Sequence, residues 1–163
     1  MFHRFLMILT LFSVLAGAGP VTAEKVITAT LANNSLTNTA IEKLAAEFRR
    51  LRRIRGHFEG GRWNDEVDKW MGRKHRLMLE LGSRLGKGEY EKSQVIQLLD
   101  PPDKILRQGD NLFPLIISIP GYEAYNEGPY EFLAYYWRGT HDFLFFICRE
   151  EAAINSGWWY AGD

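Results

Sequence analysis

Apolar residues recur at helical spacing in the first half of the chain and alternate in pairs of faces in the last third. Ile41, Leu44, Ala45, Phe48 and Leu51 follow the i, i+3, i+4, i+7 rhythm of an amphipathic helix. Thr39-Ala40-Ile41-Glu42 has the form of a capping box, so the spacing predicts a helix from Thr39 to near Gly56, with Glu24 to Leu36 as a leader lacking a strong period. A glycine-rich link, Arg55 to Trp63, leads to Asn64. Its side chain suits the start of a second helix, with Asp65 and Glu66 in the first turn where the helix dipole favours negative charge. Val67, Trp70, Met71, Leu77, Met78, Leu81 and Leu85 form that helix's apolar side. Ser93 to Leu99 predicts a short third helix, stopped at Asp100-Pro101-Pro102-Asp103 because proline lacks an N–H and obstructs the preceding turn.

Beyond Lys104 the pattern changes. Lys104 to Pro129 is loop-like, with one apolar run, Leu115 to Ile119, that fits an edge strand. Three strands then follow at Tyr130 to Trp137, Asp142 to Cys148 and Ala153 to Tyr160. The first two are joined by Arg138-Gly139-Thr140-His141, whose central Gly-Thr fits a tight hairpin turn. The expected fold class is α+β: two long helices and one short helix packed on a three- to four-stranded antiparallel sheet. Both faces of these strands are oily. Tyr130, Phe132, Ala134 and Tyr136 alternate with Leu133, Tyr135 and Trp137, and Phe143, Phe145 and Ile147 alternate with Leu144, Phe146 and Cys148. An antiparallel sheet ordinarily keeps one face wet, so this sheet needs either a second covering layer, for which the 104–129 loop is available, or an exposed aromatic surface.

Composition narrows the possibilities. The 163 residues, 46% of them hydrophobic, suffice for one domain with its own core. Twenty basic residues balance twenty acidic ones, which argues against a nucleic-acid partner. Met1 to Arg4, the apolar stretch Phe5 to Leu15 and the small residues Val21-Thr22-Ala23 have the form of a cleavable signal peptide, giving residues 1–23 as signal, 24–163 as a single α+β domain, and secretion as the expected location. Cys148 is the sole cysteine and lies in an apolar run, so it has no intramolecular partner. Asn33-Asn34-Ser35 is an acceptor sequon in a eukaryotic host.

Candidate chemistry is sparse. His57, His75 and His141 fall on a loop, a helix and a turn without metal-ligand spacing, so no metal and no cofactor is expected. The glycines at 56, 60 and 61 lack the Lys-Ser/Thr of a phosphate loop. Asp65 and Asp68 are explained by capping, and neighbouring His141 and Asp142 point to opposite sides of a strand. Two features remain. Tyr135, Trp137, Trp158 and Tyr160 are candidate partner-binding aromatics, of the residue types that dominate binding hot spots. Arg49, Arg50, Arg52 and Arg53 form a basic patch at a helix end, where cations suit the dipole and where an anionic membrane surface could bind.

A family resemblance rests on the last seventy or so residues: Ser93, Val95, Leu98 and Leu99, then Pro102-Asp103, Tyr135 or Tyr136 with Trp137, Phe143 to Ile147, and Ser156-Gly157-Trp158. This pattern resembles the SmpA/OmlA domain of BamE-like outer-membrane lipoproteins. The resemblance implies helices on an antiparallel sheet serving as a protein-binding or assembly module without catalysis. That family's lipidated cysteine has no counterpart, since Ala23-Glu24-Lys25 stands in its place. Phe58 to Asn64 with Gly72 to His75 is similar to uncharacterised fungal proteins. The expectation is a secreted, non-catalytic binding module that recognises a protein through sheet and loop aromatics. A small enzyme or apolar-ligand carrier using a cavity between sheet and loop is the second reading, and membrane-surface contact through the arginines the third.

Overall fold

The computed structural model describes residues 23–162, with side chains from Leu36 onward. Residues 1–35 and Leu36–Asp163 separate into two units, and the account that follows concerns the second. The signal-peptide reading falls on residues 1–22, outside the described residues, and ends at Ala23. Among the described residues no helix is long and apolar enough to cross a membrane.

Among the described residues the fold is α+β: four α-helices and a four-stranded antiparallel sheet in the order β1-β2-β3-β4. Helix α1 runs Ala23–Arg52, so Thr39 is an interior position and not a cap, and the sequon Asn33-Asn34-Ser35 lies on the same helix. No glycine or proline interrupts residues 23–52, and nothing in their chemistry stops the helix at the capping box. Its stripe of Ile41, Ala45, Phe48 and Leu51 is buried as the periodicity requires.

Helix α2 (Arg73–Leu85) starts nine residues after Asn64, the expected cap. The intervening segment is a run of turns, ended by a left-handed Met71 (φ 54°) and an extended Gly72 (ψ 179°) that no helix accommodates. Helix α3 (Lys92–Leu99) matches the expectation to one residue, and Asp100 leaves it with φ 64°. Two arginines of α1 complete it. Arg49 donates to the Leu98 carbonyl and Arg52 to those of Leu99 (3.0 Å) and Pro101 (2.9 Å), satisfying acceptors that a helix end leaves without partners.

The edge strand is β1 (Lys104–Leu106), paired with β2 (Tyr130–Tyr136) through Ile105 opposite Leu133. The Leu115–Ile119 run, expected to be that strand, instead contributes to helix α4 (Phe113–Ile117). Pro114 sits in its first turn, where a missing N–H costs nothing, and Phe113 and Ile116 fall on one face toward the sheet. Strands β3 (Asp142–Arg149) and β4 (Ala152–Tyr160) complete the meander, with a bulge at Ile147/Cys148.

Both sheet faces are covered. Leu133, Tyr135, Trp137, Leu144, Phe146 and Cys148 pack beneath α1, α2 and α3. Phe132, Ala134, Phe143, Phe145 and Ile147 pack beneath α4 and the following loop through Phe113, Ile116, Tyr122 and Tyr125. The 104–129 segment is therefore the second covering layer. Two glycines permit the close approach on the helix side: a methyl group on Gly86 would lie 2.5 Å from Ser156 Cβ, and the Ser156 hydroxyl donates to the Gly82 carbonyl at 2.8 Å. On the other side Tyr122 crosses Gly157, where a methyl group would meet its hydroxyl at 2.3 Å.

Candidate aromatic recognition site

The covering layers end short of one region, built by the turns between α1 and α2, the β2–β3 hairpin and the end of β4. Its frame is the buried carboxylate of Asp68, which accepts N–H groups from Asn64 (2.7 Å) and His57 (3.0 and 3.1 Å). Gly56 has no room for a Cβ because an Asp68 oxygen would stand 2.3 Å from it. The hairpin is fastened to this frame. Arg138 donates to the Asp68 carbonyl at 2.7 and 3.0 Å, and the Trp137 indole donates to the Val67 carbonyl at 2.6 Å. The Arg138 guanidinium lies 4.0 Å from the Trp137 ring centre and 4.9 Å from that of Phe58, and pairs with Asp142 at 3.6 Å.

At the centre is His75, 1% exposed, with ring centres of Trp137 at 4.3 Å, Trp70 at 4.5 Å and Trp158 at 5.0 Å. Burial pushes its imidazole down to about 4; the Arg138 charge acts in the same direction and Asp142 opposes. His75 is therefore neutral at pH 7. Its Nδ1 accepts from the Met71 N–H (3.3 Å), which leaves the proton on Nε2, 3.3 Å from the Tyr160 hydroxyl. Burial also lowers Lys74, whose ammonium has the Trp137 carbonyl at 3.5 Å and Glu59 at 3.8 Å. It raises the Cys148 thiol to about 12, which suppresses the thiolate that any nucleophilic role would need.

Near this buried centre several large apolar side chains are exposed. Trp63 is 54% exposed, Trp70 53%, Met71 44%, Phe58 43% and Tyr160 37%. Phe58, Trp70 and Tyr160 join Arg138, His141 and Asp142 around a half-open pocket of about 660 Å³. Among the described residues no group of His, Cys, Asp and Glu is spaced to hold a metal. Within the site Asp142 faces Arg138, and both His75 nitrogens have partners.

Of the four aromatics singled out in the sequence, the structure gathers three. Trp137, Trp158 and Tyr160 share the site, with Trp158 and Tyr160 stacked at 5.4 Å, but Trp137 is only 2% exposed and forms a wall and not a contact surface. Tyr135 is fully buried elsewhere, its hydroxyl donating to the Asp100 carbonyl at 3.2 Å. The basic patch is divided: Arg49 and Arg52 are spent on α3 and on Asp103, Arg50 pairs with Glu66 at 3.5 Å, and Arg53 is exposed. Sequence reasoning placed Trp70 and Met71 on a buried helix face and passed over Phe58 and Trp63. Gly56, Gly60-Gly61 and Gly72 were the signal, because they punctuate a segment of turns and one short 3-10 helix (His57–Glu59) where aromatic side chains have no long helix face to occupy.

No family model, curated protein or solved structure matches this chain.

Proposed function

We propose that the protein is a secreted, non-catalytic recognition module that binds a protein partner through the aromatic end of the domain. The observation that carries this reading is the exposure of Phe58, Trp70 and Tyr160 around one pocket, with Trp63 and Met71 exposed on the same turn segment, in a domain whose two sheet faces are otherwise covered. Contiguous exposed apolar surface rimmed by polar groups is a mark of interaction sites, and tryptophan, tyrosine and arginine are the residue types that anchor interfaces. The Asp68 frame fixes the site in advance, which lowers the ordering cost of association. A binding role without catalysis is also what the SmpA/OmlA resemblance implies. The apolar-ligand reading has one observation in its favour, since about 660 Å³ falls within the size range of small-molecule sites.

The test is capture of binding proteins on the immobilised full chain, compared between the wild type, a Trp63→Ser/Trp70→Ser variant and a Leu115→Ser variant that changes an exposed leucine elsewhere. Loss of the captured proteins with the tryptophan variant alone is expected. Identical capture by all three, with near-ultraviolet dichroism showing intact folds, would remove the reading. An apolar fluorescent probe displaced from the wild type but not from the tryptophan variant would favour the ligand carrier.

A further inference from the structure

Resting on the recognition role above, we infer that the outer edge of β4 at Trp158 and Tyr160 accepts an extended segment of a partner protein as a fifth strand, with a carboxylate side chain of that segment set against Arg76.

The argument begins with the direction of each backbone group along β4. The Ala161 N–H bonds the His141 carbonyl at 2.8 Å, so Ala161 faces β3; by alternation so do Trp159 and Gly157, while Tyr160, Trp158 and Ser156 turn outward. The strand is an edge, and along most of its length that edge is closed. Beyond the bulge, Ala153 donates to the Tyr90 carbonyl and accepts from the Gly88 N–H, both at 2.9 Å. At Ser156 the N–H reaches Asn155 Oδ1 at 2.8 Å and the carbonyl accepts the Tyr122 hydroxyl at 3.0 Å. Among the described residues no hydrogen bond reaches the outward N–H and C=O of Trp158 and Tyr160. Those four groups are spaced to pair with one extended backbone, the means by which strand addition gains affinity.

The occupant's chemistry follows from what overhangs the edge. Helix α2 lies over β4, with His75 meeting Tyr160 and with Gly82 and Gly86 closed on Ser156. Met78, Leu81 and Leu85 turn from that contact line into the core, so helical spacing sets Arg76, Leu79 and Ser83 on the opposite flank, above the open edge. Leu79 is half-exposed, and Arg76 is exposed without an ion pair among the described residues. An added strand with an apolar residue toward Leu79 and Trp158, and a carboxylate two positions away toward Arg76, satisfies both. A second copy does not, because two-fold pairing of β4 with itself sets Arg76 facing its like-charged counterpart.

The experiment selects linear peptides from a displayed random library on the full chain, resynthesises the binders and measures their affinities. Binders are expected to carry Asp or Glu two positions from an apolar residue. N-methylation of the peptide backbone is expected to weaken binding by about tenfold or more at alternate positions and to leave the intervening ones unchanged. Arg76→Glu weakens the same peptides by about tenfold, and a peptide with lysine in place of its acid recovers on that variant. In the free protein the Trp158 and Tyr160 amides exchange with solvent faster than those of Gly157 and Trp159. No binder, N-methyl effects without alternation, indifference to Arg76→Glu, or a concentration-dependent dimer in place of peptide binding would each overturn the inference. Peptides that lose affinity with Trp63→Ser/Trp70→Ser but show no alternation would overturn strand addition and leave the recognition role standing; alternation with indifference to the tryptophans would do the reverse.

Discussion

The centre of the sheet and the end at Trp70 are both rich in aromatics, and they use them in opposite ways. At the centre Phe132, Phe143, Phe145 and Phe146 are each fully buried, packed between helices on one side and α4 with its loop on the other. At the end Phe58, Trp63 and Trp70 stand on short turns, with the backbone beside Phe58 and Trp63 held by hydrogen bonds to Asp68 and much of each ring in water. Stability in the first region comes from burial; in the second, polar groups fix the backbone and leave the rings available. One protein thus separates the apolar surface that folds it from the apolar surface it presents.

That separation fails if the two regions respond alike to substitution. Phe146→Ala removes a ring that contacts Tyr135 at 5.9 Å within the sealed layer and should cost about 3–5 kcal/mol of unfolding free energy, read from denaturant titration. Acid should act next in size. The His75 imidazole is lowered from the ordinary 6.5 to about 4, so the unfolded chain takes up a proton that the folded one refuses. The stability this confers is complete above pH 6.5 and drains away as pH falls through 6.5 toward about 4. The total is about 3 kcal/mol, and His75→Gln should remove that slope from the stability profile. Gly157→Ala forces a methyl group against Tyr122 and Phe145 and should cost about 1–3 kcal/mol by thermal melting, with partial recovery when Tyr122 is shortened to leucine. Trp63→Ala should change stability by no more than about 0.5 kcal/mol while abolishing capture of a partner. A large loss of stability there would make Trp63 part of the core and erase the contrast.

The strands were legible in the sequence because a two-residue alternation of large aromatics leaves little else to be: Tyr130 and Asp142 begin β2 and β3 at the residues where the alternation begins. Helix α3 was legible from its prolines. What escaped was set by contacts remote in sequence. β1 is three residues long and exists because Leu106 and Lys104 find Phe132 and Ala134 across the sheet. The late start of α2 depends on the Asp68 carboxylate reaching back to His57, which no local pattern announces. The arginines looked like a surface patch because their acceptors, the Leu98 and Leu99 carbonyls, lie 49 and 47 residues further along the chain. The candidate site shared this difficulty: three of the chosen aromatics converge, but apart from Tyr160 the rings that face outward come from a segment whose course only the folded molecule reveals.

Cys148 has a practical corollary. With its thiol sealed in the sheet and raised to about 12, it stays silent toward alkylating dyes at neutral pH, and no second sulfhydryl competes. A cysteine engineered beside the β4 edge would be the one reactive handle on the molecule, so a spin label or fluorophore set there would report on arriving ligands without background from the wild-type sulfur.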